Sequence, residues 1–95
     1  MIEVRQTAQF RAWFDRLRDD RAKDRITVRI RRMSLGNFGD AKFFDGIGEM
    51  RIDYGPGYRV YFVRRGNEVV VLLAGGDKQS QRRDIADALK RAKEV

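Results

Sequence analysis

The feature that most constrains the fold is a close succession of three strand-like segments, at residues 49–54, 58–63 and 69–73. The first alternates polar and apolar side chains, as a strand with one buried face does. The last is an unbroken apolar run, which is typical of a central strand buried on both faces. Glycine-containing turns at residues 55–57 and 66–67 separate the segments. Connections this short predict antiparallel neighbours in the second half of the chain.

Helical patterns lie on both sides of these strands. Thr7 and Asp19 precede two amphipathic segments as predicted N-caps, and Gly36 suits the position just after the second helix. A third helix is predicted from Gln79 or Ser80 onward. The expected core-facing positions are Phe10, Trp13, Phe14 and Leu17, then Ala22, Ile26, Ile30 and Met33, and finally Ile85, Ala88, Leu89 and Ala92.

With a short first strand at residues 2–5, the element order is β-α-α-β-β-β-α. We predict a single α+β domain over residues 1–95, because a second domain would be too short to bury its own core. The expected design is two-layered, with a largely antiparallel four-stranded sheet and the helices packed on one face. The other face is expected to stay open. The glycine-rich stretch 34–48 is interpreted as a loop with room for a short strand around residues 42–44.

The charge favours a polyanionic partner. The formal net charge is +7, from 21 basic and 14 acidic residues, and most of the bases are arginine, which suits bidentate phosphate contacts. The balance is +5 over residues 1–35, −1 over residues 36–77 and +3 over residues 78–95. A site in the middle of the chain would therefore have to use individual bases. The alternative, that basic helices are simply solvated, remains open.

The absence of Cys and His removes several classes of chemistry. Disulfides and thiolate zinc sites are excluded, and so is the most common general acid and base. Catalysis would have to use Asp, Glu, Tyr, Lys, Arg or the backbone, and we expect no metal and no cofactor. No apolar run approaches the roughly 20 residues of a membrane span. We expect a cytoplasmic protein without membrane contact.

A family resemblance rests on three sequence motifs and their spacing. The motifs are Phe44-Asp45-Gly46-Ile47-Gly48-Glu49-Met50-Arg51, Gly57-Tyr58-Arg59-Val60-Tyr61-Phe62 and Leu72-Leu73-Ala74-Gly75-Gly76-Asp77-Lys78, followed by Gln81 and Asp84-Ile85. With these motifs in this order, nearly the whole chain resembles the RelE/ParE toxin superfamily. It is most similar to the HigB-like, phage Gp49-like branch of addiction module killer proteins.

The resemblance implies a toxin of a type II toxin–antitoxin system, with a helix-turn-helix antitoxin as its partner. Many such relatives bind the ribosome and cleave mRNA in the decoding site. The ParE-like relatives instead inhibit DNA gyrase without being nucleases. A third reading is a weakly toxic relative that acts mainly with its antitoxin as a corepressor. Overall fold does not separate these functions, because function depends on the site.

The candidate catalytic residues are three bases. Arg59 matches an arginine that ribosome-dependent relatives use at the scissile phosphate, while Arg51 and Lys78 match basic positions near it. Arginine suits the stabilisation of a charged phosphorane, which is often the largest contribution to catalysis. The structural alternative for Arg59 is an ion pair with Glu49 or Asp53. An acidic residue at 53, where some relatives are basic, weakens the nuclease interpretation.

Further RNA-binding candidates lie on the last helix, on the sheet and on the second helix. They are Arg82, Tyr61, Arg29 and Arg32. Tyr61 is expected on the open face as a base-stacking candidate, and the two helix arginines are read either as contacts to RNA phosphates or as a solvated face. The general base is unassigned. Ile85 stands where several relatives have a tyrosine, which leaves Glu49, Tyr61 or Lys78 as candidates.

Overall fold

The computed structural model describes residues 1–95 and contains five strands and three helices. The strands are β1 (Glu3–Gln6), β2 (Ala41–Phe44), β3 (Ile47–Ile52), β4 (Tyr58–Arg65) and β5 (Val69–Gly76). The helices are α1 (Ala8–Arg16), α2 (Asp20–Ser34) and α3 (Gln81–Ala92). The α+β class is confirmed. No helix in the structure combines the length and the apolar character that crossing a bilayer requires.

The strands form one sheet in the order β1-β5-β4-β3-β2, in which only the β1–β5 pair is parallel. The expected count of four strands is corrected to five, because β2 pairs with β3 along its whole length. Asp45 and Gly46 form the connecting turn, with φ values of 51° and 85°. Positive φ at both central residues is what a two-residue hairpin turn of type I′ requires, and Asp-Gly is a favoured sequence for it.

The two N-terminal helices cover one face of the sheet, as predicted. Phe10 and Ile26 are buried there against Met50 from β3 and Leu72 from β5. Both predicted caps are confirmed. The Thr7 hydroxyl accepts a hydrogen bond from the Phe10 amide at 3.2 Å, and the Asp19 carboxylate accepts one from the Arg21 amide at 3.0 Å. These bonds satisfy amides that have no partner within the helix.

The third helix lies on the opposite face, so the expectation that all helices pack on one face is corrected. Ala88 of α3 is buried there with Tyr61 and Val63 of β4 and Leu73 of β5. The physical reason is the apolar run in β5, since Val71 and Leu73 would otherwise face water on the side away from α1 and α2. The second face is therefore half covered.

A β-bulge sets which way the end of β5 faces. Tyr61 pairs with Ala74, whereas Phe62 pairs with Leu72, so one residue of β5 has no partner. After the bulge, a Cβ at Gly75 would overlap the Trp13 indole of α1. A Cβ at Gly76 would overlap Asp84 of α3. The two glycines therefore let α1 and α3 approach the same strand from opposite sides.

Candidate functional site

The three predicted catalytic bases come together in one open cleft of about 340 Å³. Arg51 and Arg59 are directly opposite each other in the β3–β4 register, and both point away from α1 and α2. Lys78 reaches the same place because Arg59 pairs with Gly76, two residues before it. We call this region the basic cleft. It is lined by Asp40, Arg51, Ile52, Asp53, Gly57, Arg59 and Lys78.

Two carboxylates share the basic cleft with the three bases, so its formal charge is only +1 (three bases minus two acids). The Asp40 Oδ1 atom accepts hydrogen bonds from Arg51 Nη2 at 2.6 Å and from Arg51 Nε at 3.2 Å. Both side chains are partly exposed, at 53% for Asp40 and 33% for Arg51. Asp53 lines the cleft without an ion pair. Asp40 was not a sequence candidate, since nothing in its spacing relates it to Arg51.

Arg59 is held by a buried carboxylate under the start of α3. Its side chain is only 13% exposed, and its Nε atom lies 3.9 Å from Glu49 Oε2. Glu49 is the one charged residue in the core and accepts a hydrogen bond from Gln81 Nε2 at 2.7 Å. The structural alternative considered for Arg59, an ion pair with Glu49, is thus present. At this distance Glu49 supplies a counter-charge without a hydrogen bond, and the buried Nε–H of Arg59 has no hydrogen-bond partner.

Tyr61 is fully buried between the sheet and α3 and offers no ring face to a nucleotide base. The expectation that it lies on an open face is therefore corrected, and the reason is the cover that α3 provides. Its hydroxyl has no hydrogen-bond partner. Burial raises the pKa of the Tyr61 phenol far above its usual value, and the nearby Glu49 carboxylate raises it further.

Two of the three candidates for the general base are buried. Glu49 and Tyr61 are both sealed from solvent, so neither is placed to take a proton from a ligand in the basic cleft. Lys78 is the exposed member of the three candidates. The exposed charged side chains that line the cleft are thus one ammonium, Lys78, and two carboxylates, Asp40 and Asp53.

The second-helix arginines differ in what they contact. Arg29 donates to the backbone carbonyls of Arg51 at 2.6 Å, Asp40 at 3.2 Å and Phe38 at 3.3 Å. Desolvation by burial lowers the pKa of Arg29 from its usual value. Its guanidinium ties α2 to β3 and to the loop before β2 through these carbonyls. Arg32 is exposed.

A second groove runs beside the basic cleft, between α2 and the end of β3. It contains Arg32 and shares Ile52 and Asp53 with the cleft. The Arg25 guanidinium stacks over the Tyr54 ring at 4.6 Å. Arg82, by contrast, is exposed on α3 and does not line the cleft. Of the four further RNA-binding candidates, Arg29 and Arg32 thus line the groove that adjoins it.

The loop that begins α3 is internally bonded. The Asp77 carboxylate accepts hydrogen bonds from the amides of Gln79 at 2.9 Å and Ser80 at 3.1 Å. The Ser80 hydroxyl in turn donates to Asp84 at 2.5 Å. These contacts leave the Lys78 side chain free at the corner while fixing its backbone. No group of three or more acidic side chains is arranged to hold a metal ion.

Comparison with known proteins identifies relatives but no solved homologue. The family described as "Phage derived protein Gp49-like" matches residues 12–94. A protein of Haemophilus influenzae, named only as an uncharacterized protein, is 46% identical over 95 residues, which cover 99% of this chain and 96% of that protein. No solved structure matches the chain.

Proposed function

Because this chain belongs to the Gp49-like family of phage-derived proteins, which is associated with the toxins of toxin–antitoxin systems, we propose that it is a type II toxin that cleaves mRNA on the ribosome. The single observation that supports this activity is the convergence of Arg51, Arg59 and Lys78 in one cleft. Three cations within reach of one point suit a phosphate better than a neutral substrate.

The proposed reaction needs no metal ion. The RNA 2′-oxygen forms a bond to the adjacent phosphorus, and the bond from phosphorus to the 5′-oxygen breaks, which leaves a 2′,3′-cyclic phosphate and a 5′-hydroxyl. Arg51 and Arg59 stabilise the charge on the phosphorane. The exposed Lys78 ammonium donates the proton that the 5′-oxygen takes up. The 2′-hydroxyl loses its proton to water, while the ribosome holds the mRNA in the geometry for in-line attack.

The partner proposed to neutralise this activity is a helix-turn-helix antitoxin with an acidic segment. The net charge of +7 favours such a partner, and acidic side chains laid across the basic cleft would compete directly with RNA phosphates. In the complex we expect Arg51 and Arg59 to lose their remaining solvent exposure. A complex in which both arginines stay open to solvent would contradict neutralisation by direct masking.

The test is to replace Arg59 by alanine and to map RNA 5′ ends after brief expression without the antitoxin. We expect cut messages with 5′-hydroxyl ends in cells that make the unchanged protein, and loss of cleavage by about 100-fold or more for Arg59→Ala. Arg82→Ala is the matched control, since it removes an exposed arginine outside the cleft. Equal cleavage by the Arg59 and Arg82 variants at equal abundance would refute the proposal.

A second candidate is a toxin that binds gyrase without catalysis. The observation that favours it is the burial of Glu49 and Tyr61, which leaves the cleft without an assigned base. Intact mRNA together with DNA-damage signalling would support this function over cleavage. Continued growth despite confirmed expression would instead favour a corepressor with little toxicity of its own.

A further inference from the structure

The ion pair between Arg51 and Asp40 occupies the part of Arg51 that a phosphate would use. Both hydrogen bonds to Asp40 come from one edge of the guanidinium, namely from Nε and Nη2. This edge presents two parallel donors, which carboxylate and phosphate groups can both bind, and here both donors bond to the single oxygen Oδ1 of Asp40. Asp40 therefore occupies the Nε–Nη2 edge of Arg51, and an RNA phosphate can use this edge only after the carboxylate leaves it.

The two arginines of the cleft are paired in different ways. The Glu49 side chain is only 2% exposed beside Arg59, so that pairing is sealed from water. The Asp40 side chain is 53% exposed, so solvent or a ligand can reach the Arg51 pair directly. Exposed ion pairs contribute little net free energy, so little is lost when a ligand replaces one. Of the two carboxylates, Asp40 is the one that a ligand can displace.

The backbone around Asp40 does not depend on its carboxylate. The Asp40 carbonyl accepts hydrogen bonds from the Arg51 amide at 2.9 Å and from Arg29 Nη2 at 3.2 Å. These bonds hold the residue next to β3 whichever way the side chain points. Rotation of the side chain alone can therefore release Arg51, without unfolding of the loop.

We propose that Asp40 is an internal competitor for the phosphate site, so that RNA gains the Nε–Nη2 edge of Arg51 only by displacing the Asp40 carboxylate. This inference rests on the proposed function, because it assigns a regulator to the same cleft. Competition from the Asp40 carboxylate makes free RNA a weak ligand of the cleft. A phosphate positioned by the ribosome, which arrives at high local concentration, then displaces the carboxylate more easily than RNA in solution does.

The experiment compares Asp40→Asn with Asp53→Asn. Both variants remove one negative charge from the same cleft, but only Asp40 forms an ion pair with Arg51. Binding is measured by fluorescence anisotropy with a short 2′-O-methylated RNA, which lacks the attacking hydroxyl. We expect Asp40→Asn to bind this RNA roughly two- to fivefold more tightly, and Asp53→Asn to change binding by less than about twofold. Equal changes in the two variants, or weaker binding by Asp40→Asn, would overturn the proposal.

A measurement on the unchanged protein keeps the test independent of how the variants fold. Inorganic phosphate is titrated while the side-chain Nε–H signals of Arg51 and Arg59 are followed by NMR. The chemical shift of the Arg51 signal should change as phosphate is added, because the hydrogen bond from its Nε–H group to Asp40 is replaced by one to phosphate. An unchanged Arg51 signal at saturating phosphate would overturn the inference. Because neither assay requires cleavage, displacement of Asp40 without any mRNA cutting would contradict the proposed activity and leave the competitor role intact.

Discussion

Replacing Glu49 by alanine tests how the site is held together. Glu49 is 1% exposed, accepts a hydrogen bond from Gln81 at 2.7 Å and lies 3.9 Å from Arg59 Nε. The Arg59 side chain is itself only 13% exposed. The substitution leaves a mostly buried guanidinium without a counter-charge, and it leaves the Gln81 amide without its acceptor.

The expected cost follows from this burial. Removing one partner of a buried ion pair destabilises a protein by about 3–5 kcal/mol. The 3.9 Å separation between Arg59 and Glu49 is longer than a hydrogen bond, so we expect the lower value, about 3 kcal/mol. Domains of this kind have a free energy of unfolding of only about 5–15 kcal/mol. Replacing both Glu49 and Arg59 by leucine should recover most of the loss, because no charge is then left buried.

The assay is equilibrium unfolding in urea, followed by the fluorescence of Trp13, the single tryptophan of the chain. Asp87→Ala is the control, because Asp87 forms a partly exposed ion pair with Arg91 on the same helix as Gln81. It should cost no more than about 1 kcal/mol. A loss below about 1 kcal/mol for Glu49→Ala, or a double variant no more stable than the single one, would refute the buried-charge reasoning.

Three further predictions concern stability. Tyr61→Phe should leave the melting temperature unchanged or slightly raised, because the buried hydroxyl has no partner; a loss above about 1 kcal/mol would mean that it is bonded. Gly75→Ala should lower the free energy of unfolding by about 1–3 kcal/mol, since the new methyl group meets the Trp13 indole; an unchanged urea midpoint would contradict this. The Tyr54 hydroxyl donates to Asp19 and lowers the Asp19 pKa. The resulting stability is fully present above about pH 4 and is lost as the pH falls through the lowered value. Melting curves of Asp19→Asn should therefore depend less on pH below that point.

Much of the fold was predictable because its signals are local. The caps at Thr7 and Asp19 were identified from side chains that bond amides two or three residues away. The alternation at residues 49–54 correctly predicted a strand with one buried face, which Met50 and Ile52 form, because strand side chains alternate regardless of what surrounds them. The hairpin at Asp45 and Gly46 also carried a local signal, and four strands were expected where five exist because that Asp-Gly pair was read as part of a loop.

The placement of α3 was mispredicted, although the chain contained a hint. An apolar run at residues 69–73 buried on both faces is inconsistent with a sheet left open on one side. The helix that covers the second face changes the environment of β4. It buries Tyr61, which alternation alone placed on an open surface, and it seals Glu49 beneath Gln81.

Local sequence pattern predicts one part of the site, and three-dimensional packing decides the rest. Alternation along β3 and β4 is enough to put Arg51 and Arg59 on one face, and the cross-strand register makes them neighbours. The sequence offered Glu49 or Asp53 as the partner of Arg59 and none for Arg51, whereas the structure pairs Arg59 with Glu49, 10 positions away, and Arg51 with Asp40, 11 positions away. Those partners are selected by the path of a loop and by the cover of a helix. Periodicity describes only which way a side chain points from its own backbone, whereas charge pairing depends on what the rest of the chain brings within about 4 Å.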